Sequence, residues 1–312
     1  MRIAAAQLRP AWLAPAVTTE RTLTALEEAA RQDVDLVAFP ETWLAGYPFW
    51  LDRTDGARFD HALQKAAYGW YLDAAVEADG PEVRSVVEAA RDLEVFTYLG
   101  IAERGSGDAR GTVFASLLAV DPSCGVVSHH RKLVPTYEER LVWGPGDGFG
   151  LRVHQVGDLR VGGLNCWENW MQARHALYAG GEDLHVSVWP GSARLTQDIT
   201  RFIAMEGRVW SLAAGGLLRL DDVPADFPFR DLLEERDETV FETGGSAVAA
   251  PDGSWLVPPV EHTEGLVVAD INAAAVRRER QNFDLTGHYS RPDVFSVSVD
   301  RRRRRAAGFV DD

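Results

Sequence analysis

Between Leu159 and Trp189 the chain changes its hydrophobic period twice, and few folds accommodate that order. Leu159–Leu164 reads as an apolar, strand-like run that leads directly to Cys166. The spacing of Trp170, Ala173, Ala176 and Leu177 then reads as a helix closed by Gly180-Gly181, and Leu184–Trp189 is strand-like again. A strand that turns sharply into a helix lifts the residue at the turn to the end of a sheet. It also directs free backbone N–H groups and the positive helix end at that residue. A thiol placed there is a candidate nucleophile, although an isolated cysteine is by default a small buried hydrophobe.

The same alternation runs through the rest of the chain. Arg2–Leu8 reads as a first strand, and Thr18 or Thr19 as the cap of a helix with Leu23, Leu26, Ala29 and Ala30 on its apolar face. Asp35–Phe39 is a buried-type strand ending at Pro40-Glu41. An aromatic-rich, partly helical span, Tyr47–Ala78, precedes a helix over Gly80–Leu93. Strands are expected at Phe96–Ala102, Val113–Val120 and Val126–His130, then a loop over Lys132–Gly148, then a strand at Leu151–Val156. Beyond the Cys166 segment, Thr196–Trp210 reads as a helix and Leu212–Leu218 as a strand. Pro251-Asp252-Gly253 marks a hairpin, Gly265–Ile271 a last strand and Ala273–Gln281 a short helix. With no linker, composition break or repeat, this predicts a single α/β domain over residues 1–295, followed by an arginine-rich tail over 296–312.

The formal net charge of −15 over 312 residues makes nucleic acid and anionic membrane poor partners for the body of the protein. Arg301–Arg305 is accordingly read as a solvated or subunit-contacting tail. Two cysteines, Cys124 and Cys166, in unrelated contexts fit a reducing cytoplasm rather than a disulfide framework. No apolar run has the length of a membrane span or the layout of a signal peptide. His129 and His130 point to opposite faces of a strand and have no matching ligand set, so no metal site is expected. The phosphate-binding GxGxxG loop is absent as well.

Three polar residues stand at or just beyond the ends of apolar strands: Glu41 after DLVAFP, Lys132 after VVSHHR and Cys166 after VGGLN. Strand ends are where α/β sheets gather ligands. A carboxylate can take a thiol proton there, and an ammonium can stabilise charge that develops on an attacked atom. Taken singly, Glu41 and Lys132 are as well explained as solvated strand ends.

Together, FPETWLAGYPFW, HRKLVPTYEERLVWGPGDG and GGLNCWEN resemble the three signature blocks of the nitrilase superfamily of carbon–nitrogen hydrolases. The resemblance runs in order from Met1 to about Asp293. GYPFW, CWEN, HVSVWP and GHYSRPDV are similar to the nitrilase branch itself. The resemblance implies a four-layer α-β-β-α sandwich, assembly into a homodimer or larger homo-oligomer, and no cofactor. It implies Glu41 as general base, Lys132 as cationic stabiliser and Cys166 as nucleophile, with a second glutamate in the loop after the lysine. Glu138 and Glu139 compete for that place, and the family's glutamate–arginine order selects Glu139. Trp167 would give its backbone N–H to the developing charge. Trp43, Tyr47, Trp167 and Trp189 are expected to line an aromatic substrate pocket. The implied activity is hydrolysis of an aromatic or arylaliphatic nitrile to acid and ammonia. An amidase or N-carbamoyl hydrolase using the same residues, or a non-catalytic scaffold, are the alternatives. Gln172 after Met171 and Tyr137 in the loop depart from the family pattern and bear on the substrate rather than the mechanism.

Overall fold

In the computed structural model, which describes residues 1–307, the apolar runs of the first half form five strands. They are β1 (Arg2–Gln7), β2 (Leu36–Ala38), β3 (Phe96–Arg104), β4 (Val113–Asp121) and β5 (Gly125–Arg131). Helices α1 (Pro15–Arg31), α2 (Ala62–Ala74) and α3 (Pro81–Asp92) lie between them in sequence. The second half supplies β6 (His154–Val156), β7 (Leu159–Asn165), β8 (Leu184–Trp189), β9 (Trp210–Gly215), β10 (Leu217–Arg219), β11 (Val240–Ala249) and β12 (Trp255–Glu261). Its helices are α4 (Ala173–Ala179), α5 (Ala193–Gly207) and α6 (Arg230–Glu234). The chain then returns to the first sheet with β13 (Gly265–Asp270) and ends its regular structure at α7 (Ala273–Glu279).

The first sheet has the order β13-β1-β2-β3-β4-β5, and the second β10-β11-β9-β8-β7-β6 with β12 also paired to β11. The centres, β1-β2-β3 and β7-β8-β9, are parallel, as crossover helices require. Alternate residues divide the burial. Ile3, Ala5, Tyr98 and Leu117 face Val161, Val186, Val188 and Leu212 between the sheets. Their neighbours Ala4, Ala6, Leu99 and Leu118 face outward onto Leu26 and Ala29 of α1 and Val83 and Val86 of α3. On the other side Leu164 meets Ala173, Ala176 and Leu177 of α4, and Ala213 meets Ile199 and Ile203 of α5. The layers are helix, sheet, sheet, helix: the expected α-β-β-α sandwich. Each fully buried leucine, isoleucine or valine here contributes about 1.5–3 kcal/mol relative to exposure. At the sheet interface a side chain on Gly163 would meet Tyr98 Cε1 at 2.8 Å and Leu117 Cδ2 at 3.0 Å, so glycine lets β7 approach the first sheet.

Several boundaries differ from the sequence reading. The first helix begins at Pro15, not beyond Thr18 or Thr19, because a proline at the first helical position has no N–H to satisfy. Thr18 and Thr19 lie inside it and bond back to the carbonyls of Ala14 and Pro15. β6 starts at His154, since Leu151 and Val153 pack with α4 instead. α5 stops at Gly207 because Arg208 takes a left-handed φ of 50°, which frees Trp210 to open β9. The strand expected over Leu212–Leu218 is split where Gly216 N donates to Pro190 O.

Of the five tail arginines, Arg303 turns inward. Its guanidinium donates to Asp147 Oδ1 at 3.1 Å and His129 O at 2.8 Å, and lies 4.5 Å over the Phe149 ring. Residues 308–312 lie outside the described residues. Among the described residues no helix is long and apolar enough to cross a membrane.

Candidate active site

Glu41 and Lys132 leave the first sheet beyond the C-terminal ends of β2 and β5, and Cys166 leaves the second at the end of β7. Glu41 N donates to Trp189 O at 3.3 Å, which ties the two sheets together at this point. Lys132 is the junction. Its Nζ donates to Glu41 Oε1 at 2.9 Å and to Glu139 Oε2 at 2.6 Å, and lies 5.3 Å over the Trp143 ring. Glu139 is held from three sides: besides Lys132, its Oε2 accepts from Thr136 N at 2.6 Å and its Oε1 from the Tyr47 hydroxyl at 2.9 Å. One polar atom each from Glu41, Glu139 and Cys166 lies within 4.8 Å of the others. Glu138, the rival to Glu139, lines the adjoining cavity and makes no ion pair with Lys132.

All four side chains are buried, so their charges are nearly unscreened. Burial raises the Glu41 carboxyl to about 8; the Glu139 charge adds to this and Lys132 opposes it. Burial also pushes the Cys166 thiol well up, against the pull of Lys132 and of the Trp167 backbone N–H. Lys132 is held above its ordinary value because the Cys166, Glu41 and Glu139 charges together outweigh its desolvation. At rest Cys166 is therefore a thiol, and the Glu41 carboxyl beside it becomes a carboxylate able to accept a proton as the pH rises through about 8. Glu41, Glu139 and Cys166 offer the donors of a small metal site, but the Lys132 ammonium already sits between the two carboxylates as their counter-charge.

Backbone strain gathers here. Cys166 has φ 46°, Thr42 next to Glu41 has φ 46°, and Tyr137 two residues before Glu139 has φ 43°. A non-glycine residue in this region costs about 1–3 kcal/mol and persists only when its surroundings over-determine it. At Cys166 the expected helix start is a 3₁₀ turn over Cys166–Trp170, with α4 beginning only at Ala173. Glu168, which sequence reasoning missed, fastens this turn. Its carboxylate accepts from Asn165 N at 3.0 Å, from Leu133 N at 2.5 Å and from His130 Nε2 at 3.1 Å. One carboxylate thus joins the residue before the cysteine to the residue after the lysine. The N-x-x-E spacing of Asn165 and Glu168 was the available signal, and Thr136 and Glu139 repeat it as T-x-x-E.

Cys166 opens into a cavity of about 670 Å³ lined by Tyr47, Leu51, Glu139, Trp167, Trp189 and Phe241 among others. Trp167, 47% exposed, stands at its edge, while Trp189 is buried and its Nε1 has no hydrogen-bond partner among the described residues. Tyr47 does double service as cavity wall and Glu139 donor. Trp43, expected at the substrate, lines instead a small cavity of about 20 Å³ that it shares with Glu41 and Tyr47. It is buried against Phe39 with its indole N–H on Thr22 Oγ1 at 2.8 Å, and it does not line the Cys166 cavity. Glu41 takes up the polar end of that loop, while Trp43 enters the α1 core.

The sequence profile of the carbon-nitrogen hydrolase family matches residues 2–281. A protein named nitrilase 2, from an unknown prokaryotic organism, is 34% identical over 308 residues, covering 98% of this chain and 94% of that protein. An aliphatic nitrilase from Rhodococcus rhodochrous is 32% identical over 317 residues, covering 96% and 83%. Among solved structures, XC1258 from Xanthomonas campestris, a CN-hydrolase superfamily protein with an arsenic adduct in its active site, superposes with a TM-score of 0.66. At 21% identity over 91% of this chain and 94% of that one, it supports the fold alone. A sandwich whose two sheets bring together a lysine-bridged glutamate pair and a cysteine, in a chain matched almost end to end, makes this protein an enzyme of the carbon-nitrogen hydrolase family.

Proposed function

We propose that the enzyme hydrolyses an aromatic or arylaliphatic nitrile to the carboxylic acid and ammonia, with Cys166 as nucleophile. The observation that carries this reading is the Lys132 ammonium hydrogen-bonded to both Glu41 and Glu139, with a polar atom of each glutamate and the Cys166 sulfur all within 4.8 Å of one another. Glu41 takes the thiol proton as sulfur attacks the nitrile carbon, and the nitrogen gains a proton to give a thioimidate. Water adds to the C=N carbon, ammonia leaves, and a thioester remains on Cys166. A second water, deprotonated by Glu41, releases the acid and restores the thiol. Lys132 and the Trp167 N–H stabilise the charge that develops on the attacked group.

Support for a nitrile comes from the relatives' names and from the lining. A linear, nearly uncharged group needs few polar partners, and the rings of Tyr47, Trp167, Trp189 and Phe241 stand among the cavity's walls, beside charged Asp52, Arg53, Arg194 and Glu242. Those rings favour an aryl substituent, whereas the Rhodococcus relative is named for aliphatic substrates. Glu138, Ser192 and Glu242 in the same cavity could satisfy the donors of an amide, so a primary amide is the competing substrate. The test is a matched pair, an aryl nitrile and its own primary amide at equal concentration, with acid, amide and ammonia all quantified. A higher kcat/KM for the nitrile with acid as main product is expected; a faster amide would replace this reading by an amidase. Trp167, Trp170, Met171, Phe202 and Met205, all partly exposed near the nucleophile turn and α5, favour assembly into a homodimer or larger homo-oligomer.

A further inference from the structure

The strained cysteine carries one contact that the reaction scheme does not use. Asn169 Nδ2 donates to the carbonyl oxygen of Cys166 itself, at 2.6 Å. The amide's other end accepts from His185 Nε2 at 2.7 Å and from Ser187 Oγ at 2.9 Å. His185 Nδ1 in turn faces both carboxylate oxygens of Glu182, at 3.1 and 2.9 Å. Asn169, Glu182, His185 and Ser187 are all fully buried. Residues 185 and 187 alternate along β8, so both present to the same side and meet one acceptor. The Asn169 backbone is pinned as well, its carbonyl accepting from Arg174 at 2.6 Å.

The proton arrangement of this chain decides which way the amide faces. With Glu182 ionised and His185 an imidazolium, Nε2 carries a proton. With a neutral Glu182 donating to Nδ1, Nε2 again carries one. In both cases Asn169 must offer its oxygen to His185 and its NH₂ to Cys166. The remaining tautomer, with Nε2 bare, would turn the amide round and set two carbonyl oxygens 2.6 Å apart. It would also leave the Ser187 hydroxyl facing an NH₂ group.

The carbonyl that Asn169 grips belongs to the peptide joining Cys166 to Trp167. That unit is rigid and planar, with C=O and N–H pointing in opposite directions. Fixing the oxygen on one side therefore aims the Trp167 N–H on the other, and this N–H is the one that reaches the Cys166 sulfur.

We propose that Asn169, oriented by the buried Glu182–His185 pair, is a positioning residue that aims the Trp167 N–H at the reacting centre and holds Cys166 in its left-handed conformation. The proposal rests on Cys166 being the nucleophile. It assigns no contact with substrate to Asn169, His185 or Glu182; they act through one peptide plane.

The experiment compares Asn169→Asp, His185→Phe and His185→Gln with the natural protein, each checked for folding by near-ultraviolet circular dichroism. Asn169→Asp keeps the volume and the acceptor toward His185 but turns an acceptor on the Cys166 carbonyl. His185→Phe removes the Nε2 donor, whereas a glutamine amide can restore it. Two rates are read: alkylation of Cys166 by iodoacetamide, with exposed Cys124 as internal reference, and kcat on an aryl nitrile. Displacement of a reacting group by about 1 Å costs about 10²-fold. Asn169→Asp and His185→Phe are therefore expected to lose about 10²-fold in both rates with KM within about threefold, and His185→Gln to recover most of the loss. A folded Asn169→Asp that alkylates and turns over at the natural rate overturns the proposal, as does a rise in KM at constant kcat. Should His185→Phe fail to fold, the isosteric Asn169→Asp decides. Failure of the nucleophile assignment reads out separately, as turnover surviving in Cys166→Ala.

Discussion

Replacing Glu139 by glutamine removes one negative charge beside Glu41 while keeping the side chain's length. In the proposed mechanism only the ionised Glu41 takes the thiol proton, so kcat/KM is expected to rise with pH through its pKa, which the site holds at about 8. The Glu139 charge is one of the forces that keep it there, second among the raising influences to burial. With the carboxylate oxygens within 4.8 Å and an effective dielectric of about 20, their repulsion is roughly 3.5 kcal/mol, or about 2.5 pK units. Lys132, hydrogen-bonded to both carboxylates, damps part of that coupling. The acid limb of the kcat/KM profile is therefore expected to move down by about 1 to 2.5 units in Glu139→Gln. The plateau rate should also fall, by about 10²–10³, because the substitution loosens Lys132. The assay is kcat/KM from about pH 5 to 10 on the natural protein, Glu139→Gln and Glu138→Gln. Glu138 makes no ion pair with Lys132, so its variant should keep the limb in place. An acid limb in Glu139→Gln that stays at the natural pH or moves upward would refute the electrostatic reasoning. So would an equal shift in Glu138→Gln.

Two further outcomes follow from other contacts. Cys166→Ala should fold and lose all turnover, and mass spectrometry of the natural protein during turnover should find the acyl group on the Cys166 peptide rather than on Cys124. Away from the site, buried Glu103 accepts from Ser116 Oγ, His129 Nε2 and Arg131, and the last two hold its carboxyl down to about 2 against its desolvation. The folded state binds this proton more weakly than the unfolded state, so the stabilisation is full above about pH 4.5 and is lost as pH falls through about 2. Glu103→Gln should therefore cost about 3 kcal/mol in urea unfolding at pH 7 and much less near pH 2, and an equal cost at both would contradict the assignment.

The sequence exposed the parts of the site that depend on one strand at a time. Glu41, Lys132 and Cys166 each follow an apolar run abruptly, and a buried strand that ends in a polar residue marks a sheet edge without knowledge of its neighbours. The supports were hidden because they depend on which strands lie side by side. Glu168 reaches Leu133 from 35 residues away, and Asn169 meets His185 only because β7 and β8 are parallel neighbours. Trp43 misled for a related reason. Its place beside Glu41 suggested the pocket, but the left-handed turn at Thr42 sends successive side chains to different layers. Helix ends were misread where local chemistry overrode periodicity, at Pro15 and at the left-handed Arg208.

The groups proposed to react stand on opposite halves of the sandwich: Glu41, Lys132 and Glu139 follow strands of one sheet, and the Cys166 sulfur a strand of the other. The distance between the Glu41 carboxyl and the Cys166 sulfur thus depends on the hydrophobic filling between the layers, to which Gly163 against Tyr98 and Leu117 contributes. Here the interior works as a calliper. Any swelling of that filling by heat, pressure or an added methyl group opens the jaws long before the chain unfolds. Turnover should then decline with the expansion of the core rather than with the melting of the fold.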